Sequence, residues 1–83
     1  MLVIETNNVK YDSPRLLAIS IKAARVKGRL SHDNIAAKAG VSRLTVIRAE
    51  KPDRIGRCQL GIVLLILEAL AMLGSPVEVY DHE

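Results

Sequence analysis

A chain of 83 residues with a net charge of +3 reads as a single small domain, and its one cysteine, Cys58, leaves no internal disulfide to offset a limited buried surface. Hydrophobic residues make up 49% of the chain, which argues against disorder. Trp and Phe are absent and only Tyr11 and Tyr80 are aromatic, which sets aside binding of single strands by base stacking. All twelve Lys and Arg lie between Lys10 and Arg57, opposed there only by Asp12, Asp33, Glu50 and Asp53, a local surplus of eight that suits a phosphate-binding surface; a merely solvated basic face is the blander alternative.

The first twelve residues open on Leu2-Val3-Ile4 and turn polar at Asn7-Asn8, as a short strand over Leu2–Thr6 or an arm would. Ser13-Pro14 is a helix start, Ser as N-cap and Pro at the first helical position, where its missing N–H is no loss. Leu16, Leu17, Ile19, Ala23, Ala24 and Val26 then give an apolar stripe, and Gly28 a stop, so the spacing predicts a helix over Pro14–Lys27. A second helix is expected over His32–Ala39, capped by Ser31, with Asp33 in its first turn and Ile35, Ala36 and Ala39 facing inward. Gly40 supplies a turn, Val41 plugs the corner and Ser42 caps a third helix over Arg43–Lys51, ended by Pro52, with Val46 and Ala49 inward.

Asp53–Arg57 reads as a loop, followed by a long helix over Cys58–Leu73. Its core face is expected to be Ile62, Leu65, Ile66, Ala69, Leu70 and Leu73, but Val63, Leu64, Leu67 and Met72 make much of the other side apolar too. A helix apolar nearly all round is buried on more than one side, and 83 residues supply too little protein for that; a homodimer is expected. Gly74-Ser75-Pro76 breaks the helix, and the alternation in Val77-Glu78-Val79-Tyr80 suits a short strand before an acidic tail, Asp81-His82-Glu83. The fold class is therefore mainly all-α. The expected domain over 1–83 comprises an arm at 1–12, a core of four to five helices over 14–73 and a C-terminal strand or tail at 76–83, with short terminal strands placed at a dimer interface.

The segment Leu30–Lys51 carries the functional signal. A helix-turn-helix needs a small residue where its helices cross, a glycine in the turn and an apolar residue on the inner face of the second helix; Ala36, Gly40 and Val46 stand at those offsets. Outward positions near the start of the second helix are then Arg43, Leu44, Ile47 and Arg48, the candidate base-reading set. Arginine can bond guanine O6 and N7 in parallel, and an aliphatic side chain can pack on a thymine methyl. Candidate phosphate contacts are His32, Lys38, Ser42, Thr45, Arg54 and Arg57.

At Leu30-Ser31, Ile35-Ala36, Ala39-Gly40-Val41-Ser42, Thr45-Val46 and Arg48-Ala49-Glu50 the chain resembles the Xre/Cro-like helix-turn-helix family, over roughly Leu16–Leu73. The resemblance implies a dimeric, sequence-specific regulator of transcription, repressor-like, that binds double-stranded DNA. It also implies a structural ion pair between Arg25 and Glu50, because an arginine six residues before the cap commonly pairs with the glutamate ending the third helix. Two positions depart from the family's pattern: His32 stands where glutamine is common, and Lys51-Pro52 where glycine follows the glutamate. An alternative is an antitoxin or co-regulator that also binds a protein partner, a toxin, through the acidic C-terminal segment.

Other functions find no residues. His32, His82 and Cys58 lack metal-ligand spacing, and no nucleophile–base set, phosphate loop or dinucleotide fingerprint occurs, so neither an enzyme nor a cofactor is expected. Leu60–Gly74 is too short to span a bilayer and contains Glu68, and no secretory leader is apparent; no membrane association and a cytoplasmic location are expected.

Overall fold

The computed structural model describes residues 14–78 and places four α-helices in that span: α1 (Pro14–Lys27), α2 (His32–Ala39), α3 (Arg43–Ala49) and α4 (Leu60–Met72), with one 3₁₀ turn at Ile55–Arg57. No strand occurs among the described residues, so the all-α class holds there. Val77 and Glu78 are irregular, and the expected strand at Leu2–Thr6, the Ser13 cap and positions 79–80 lie outside the described residues.

The core is built from aliphatic side chains throughout, with Ile21, Ile35, Val46, Ile66 and Leu70 fully buried and alanines at 18, 24, 36, 49 and 69 filling the narrower gaps. α2 packs on both α3 and α4, while α1 lies against the 3₁₀ turn and α4. Small residues at Ala18 and Ala24 let α1 approach its neighbours closely, and the helix therefore turns Ala18, Ile21 and Ala24 inward. This corrects the stripe expected for α1: Leu17 packs at the edge of the core, but Ile19, Ala23 and Val26 are exposed.

The end of α1 also differs in detail. Leu30 N–H donates to Arg25 O and Arg29 N–H to Val26 O, both at 3.0 Å, the paired closure that ends many helices. The left-handed residue in that closure is Arg29 (φ 56), not Gly28. Glycine is required at 28 for a different reason: a Cβ there would stand 2.7 Å from Ser75 Cβ. Ser75 is buried, its hydroxyl donates to Ala24 O at 2.5 Å, and it thereby ties the chain leaving α4 onto the end of α1.

α3 is shorter than expected. Glu50 is still in the right-handed region (φ −94, ψ 0), but its N–H and that of Lys51 donate only three residues back, to Ile47 O and Arg48 O at 3.1 Å, a tightened last turn, and Lys51, which precedes Pro52, is irregular. The loop expected at Asp53–Arg57 carries the 3₁₀ turn, which buries Ile55 in the core. α4 begins at Leu60 rather than Cys58 and ends at Met72 rather than Leu73, and its buried face is Val63, Ile66, Ala69 and Leu70, flanked by Ile62, Leu67 and Leu73. Val63 thus takes the core position expected for Leu65, which is exposed.

Candidate nucleic-acid interface

The α2–turn–α3 unit is fixed by local chemistry at three points. Ser31 caps α2 in a reciprocal box: its Oγ accepts from Asn34 N–H at 3.0 Å, and its own N–H donates to Asn34 Oδ1 at 2.9 Å, asparagine taking the place usual for glutamate or glutamine. Gly40 ends α2 with φ 76 and ψ 32, a left-handed conformation that strains any residue bearing a Cβ. Its N–H and that of Val41 both donate to Ala36 O, at 2.9 and 3.0 Å, which turns the chain sharply. Ser42 caps α3, accepting from Thr45 N–H at 3.1 Å, while its hydroxyl lies 2.8 Å from that of Thr45. Ala36 and Val46, buried across the turn, set the two helices against each other.

A charged cluster ties this unit to α1. Arg25 Nε donates to Glu50 Oε2 at 2.6 Å and Arg25 Nη2 to Glu50 Oε1 at 3.2 Å, a forked contact with both carboxylate oxygens. Arg25 Nη1 also donates to Leu30 O at 3.3 Å. His32 Nε2 lies 3.1 Å from Glu50 Oε1, so one carboxylate joins side chains from α1 and α2 at the end of α3. The Glu50 side chain is only 5% exposed and that of Arg25 16%. The ring of His32 is therefore engaged with Glu50 and half-buried, rather than projecting as a free phosphate contact.

The rest of α3 faces outward. Arg43, Leu44 and Arg48 are exposed and Ile47 is half-buried, and at 100° per residue the four share one side of the helix, opposite Val46 and Ala49. Arg43 Nε lies 3.4 Å from Asp33 Oδ1 on α2, an exposed pair that steadies the guanidinium beside the helix start. Lys38 is exposed on α2.

At the other end of α3 the fold assembles a cleft of about 410 Å³ lined by Thr45, Arg48, Arg54, Arg57, Cys58, Gln59 and Ile62. Three guanidinium-bearing residues line it and no carboxylate does; Arg54 makes only a loose pair with Asp53, at 3.9 Å, on open surface. Four candidate residues from α3 and the following turn are thus brought together there, whereas His32, Lys38 and Ser42 lie elsewhere. Cys58, Gln59 and Ile62 also line the cleft, a contribution that no local sequence signal announces.

No helix among the described residues is long and apolar enough to cross a membrane, and none of those residues cluster as metal ligands would. Comparison of the chain with protein-family models, with curated proteins and with solved structures yields no match.

Proposed function

We propose that this protein is a sequence-specific double-stranded DNA-binding regulator of transcription that acts in the cytoplasm as a homodimer, with α3 of each copy in the major groove. The observation that carries the reading is the exposed face of α3. Arg43, Leu44 and Arg48 stand outward on a rod whose inner side is locked by Val46 and Ala49, and the same surface runs into a cleft with three arginines and no acid. An α-helix such as α3, about 10–12 Å across with its side chains, fits a major groove about 12 Å wide. Arg43 and Arg48 are the base-reading arginines in this reading, Leu44 and Ile47 pack on thymine methyls, and Thr45, Arg54 and Arg57 hold phosphates flanking the groove. The resemblance of Leu30–Glu50 to Xre/Cro-like proteins supports the same assignment.

Selection of bound duplexes from a random pool tests it. The expected product is a palindromic motif with half-site centres about 34 Å apart or a multiple of that. Binding that is equal on all duplexes, or undetectable at ~50 mM salt where phosphate contacts are strongest, overturns it.

A further inference from the structure

Arg48, Arg54 and Arg57 meet at one cleft with nothing inside it to balance them. Arg48 stands near the end of α3, and Arg54 and Arg57 lie on either side of Ile55 in the chain. No carboxylate lines the space of about 410 Å³ between them. Among the described residues Arg48 and Arg57 form no ion pair, and Arg54 has only the loose contact with Asp53, outside the lining. Arg25 and Arg43, by contrast, each hold a carboxylate. Gathering like charges without a counter-charge raises the energy of the free chain, and an anion in the cleft relieves it. Gln59 and Ile62 place the cleft at the start of α4, a helix of thirteen residues with no acid in its first turn and no side-chain cap. The helix start adds to the same positive potential.

We propose that this cleft binds a small ligand bearing a diphosphate group, and that the bound ligand competes with DNA. Charge and shape select this class. A phosphodiester in a nucleic-acid strand brings one negative charge, which three guanidiniums exceed; two adjoining phosphoryl groups, one of them terminal, bring several to one place. The volume falls within the ~300–1,000 Å³ of small-ligand clefts, whereas a strand crossing the mouth presents its phosphates to the rim. The arginines offer paired N–H donors that match phosphate oxygens, and Cys58 and Ile62 give the organic portion an apolar wall. Arg48 connects the two events. It lines the cleft and stands on the outward side of α3, so a guanidinium turned toward a ligand is withdrawn from the major groove. The competition rests on the DNA-binding reading above; the binding of the ligand does not.

The test uses the full chain, nitrogen-15 labelled, with pyrophosphate as the probe and ionic strength held at ~0.15 M. Amide resonances are expected to shift over residues 54–62 and not around Lys38, with half-saturation at ~1 mM or below. Sulfate, a single anionic group, should bind more weakly. Arg57→Ala is expected to weaken pyrophosphate binding at least ~10-fold, the loss of one charge-assisted contact. Arg54→Ala should act in the same way, and Lys38→Ala, which removes an equal charge from α2, should leave binding unchanged. All three side chains are exposed, so the helical circular dichroism should be retained. In a second arm, pyrophosphate should displace a labelled duplex at the concentrations that fill the cleft, while sodium chloride of equal ionic strength does not. No shift at ~10 mM pyrophosphate, sulfate bound as tightly, equal losses from Arg57→Ala and Lys38→Ala, or shifts over 54–62 with a duplex and none with pyrophosphate each overturns the ligand site. Pyrophosphate that binds without displacing the duplex, or a chain that binds no duplex, overturns the competition; in the second case the functional reading falls with it.

Discussion

Removing one member of the Arg25–Glu50 pair should destabilise the domain, and by unequal amounts. Glu50 is the more deeply buried partner, and Arg25→Ala leaves its carboxylate with His32 as its remaining side-chain partner among the described residues. Glu50→Ala strands the guanidinium instead, but Arg25 keeps its bond to Leu30 O and is exposed enough to turn its head toward water. Breaking a buried pair by deleting one partner costs about 3–5 kcal/mol, so Arg25→Ala should cost about 3–4 and Glu50→Ala, discounted for that exposure, about 2. Glu50→Gln retains the shape and an acceptor for one Arg25 donor and should cost less than Glu50→Ala. For a domain of this size 1 kcal/mol moves Tm by about 4–8 °C, so the two deletions should separate clearly in a melt followed at 222 nm. In a double-mutant cycle, replacing both residues should lose at least ~1 kcal/mol less than the sum of the single losses. Single variants within 0.5 kcal/mol of the parent, the range of surface pairs, would refute the claim that this cluster holds α3 to α1.

Arg43→Ala is expected to relax preference at one base pair of each half-site by ~1–3 kcal/mol, measured by competition among single-substituted duplexes; a uniform loss would make Arg43 a phosphate contact. Arg57→Ala should weaken all sequences alike and reduce the slope of log K against log salt by about 0.9; an unchanged slope would remove the cleft from the DNA-facing surface. Asp33→Asn frees Arg43 from its exposed partner and should alter stability by no more than ~0.5 kcal/mol, as a surface pair does. Gly40→Ala, which forces a Cβ into the left-handed turn, should lower stability by about 1 kcal/mol in the same melt; no loss would mean that the turn readjusts.

What could be read from the sequence was set by local chemistry. Pro14, Ser31, Gly40 and Ser42 each act within a few residues of themselves, and α1, α2 and the start of α3 fall where those residues put them. α3 ends short of Lys51 because its last turn tightens to bonds three residues back at Glu50 and Lys51, which the position of Pro52 alone does not show. The burial of Ile55 has no signature in the sequence, because a lone aliphatic among Arg, Gly and Pro has no periodicity to announce it. In α4 the opposite failure applies: apolar residues on nearly every side leave no contrast from which to choose a face, so only packing decides between Val63 and Leu65. In α1 the sizes of Ile19 and Val26 suggested core, whereas close packing on the 3₁₀ turn and α4 selects the small Ala18 and Ala24. For the candidate site, the outward side of α3 follows from the helix period alone. The arginine cleft does not, since residues 48, 54, 57 and 59, spread over α3, a turn, the 3₁₀ turn and the residue before α4, come together only in the folded chain.

The wholly aliphatic interior has an optical consequence. Residues 14–78 contain no tryptophan, phenylalanine or tyrosine, and the chain's only phenols, Tyr11 and Tyr80, flank that body on either side. Ultraviolet emission from this protein therefore originates in its two terminal segments, with no fluorophore in the helices between them. A phenol signal that changes on adding an oligonucleotide, or on dilution, reports the surroundings of Tyr11 and Tyr80, without a dye. Unfolding curves traced by emission and by backbone dichroism then draw on different residues, and a gap between them does not by itself establish an intermediate in the helical body.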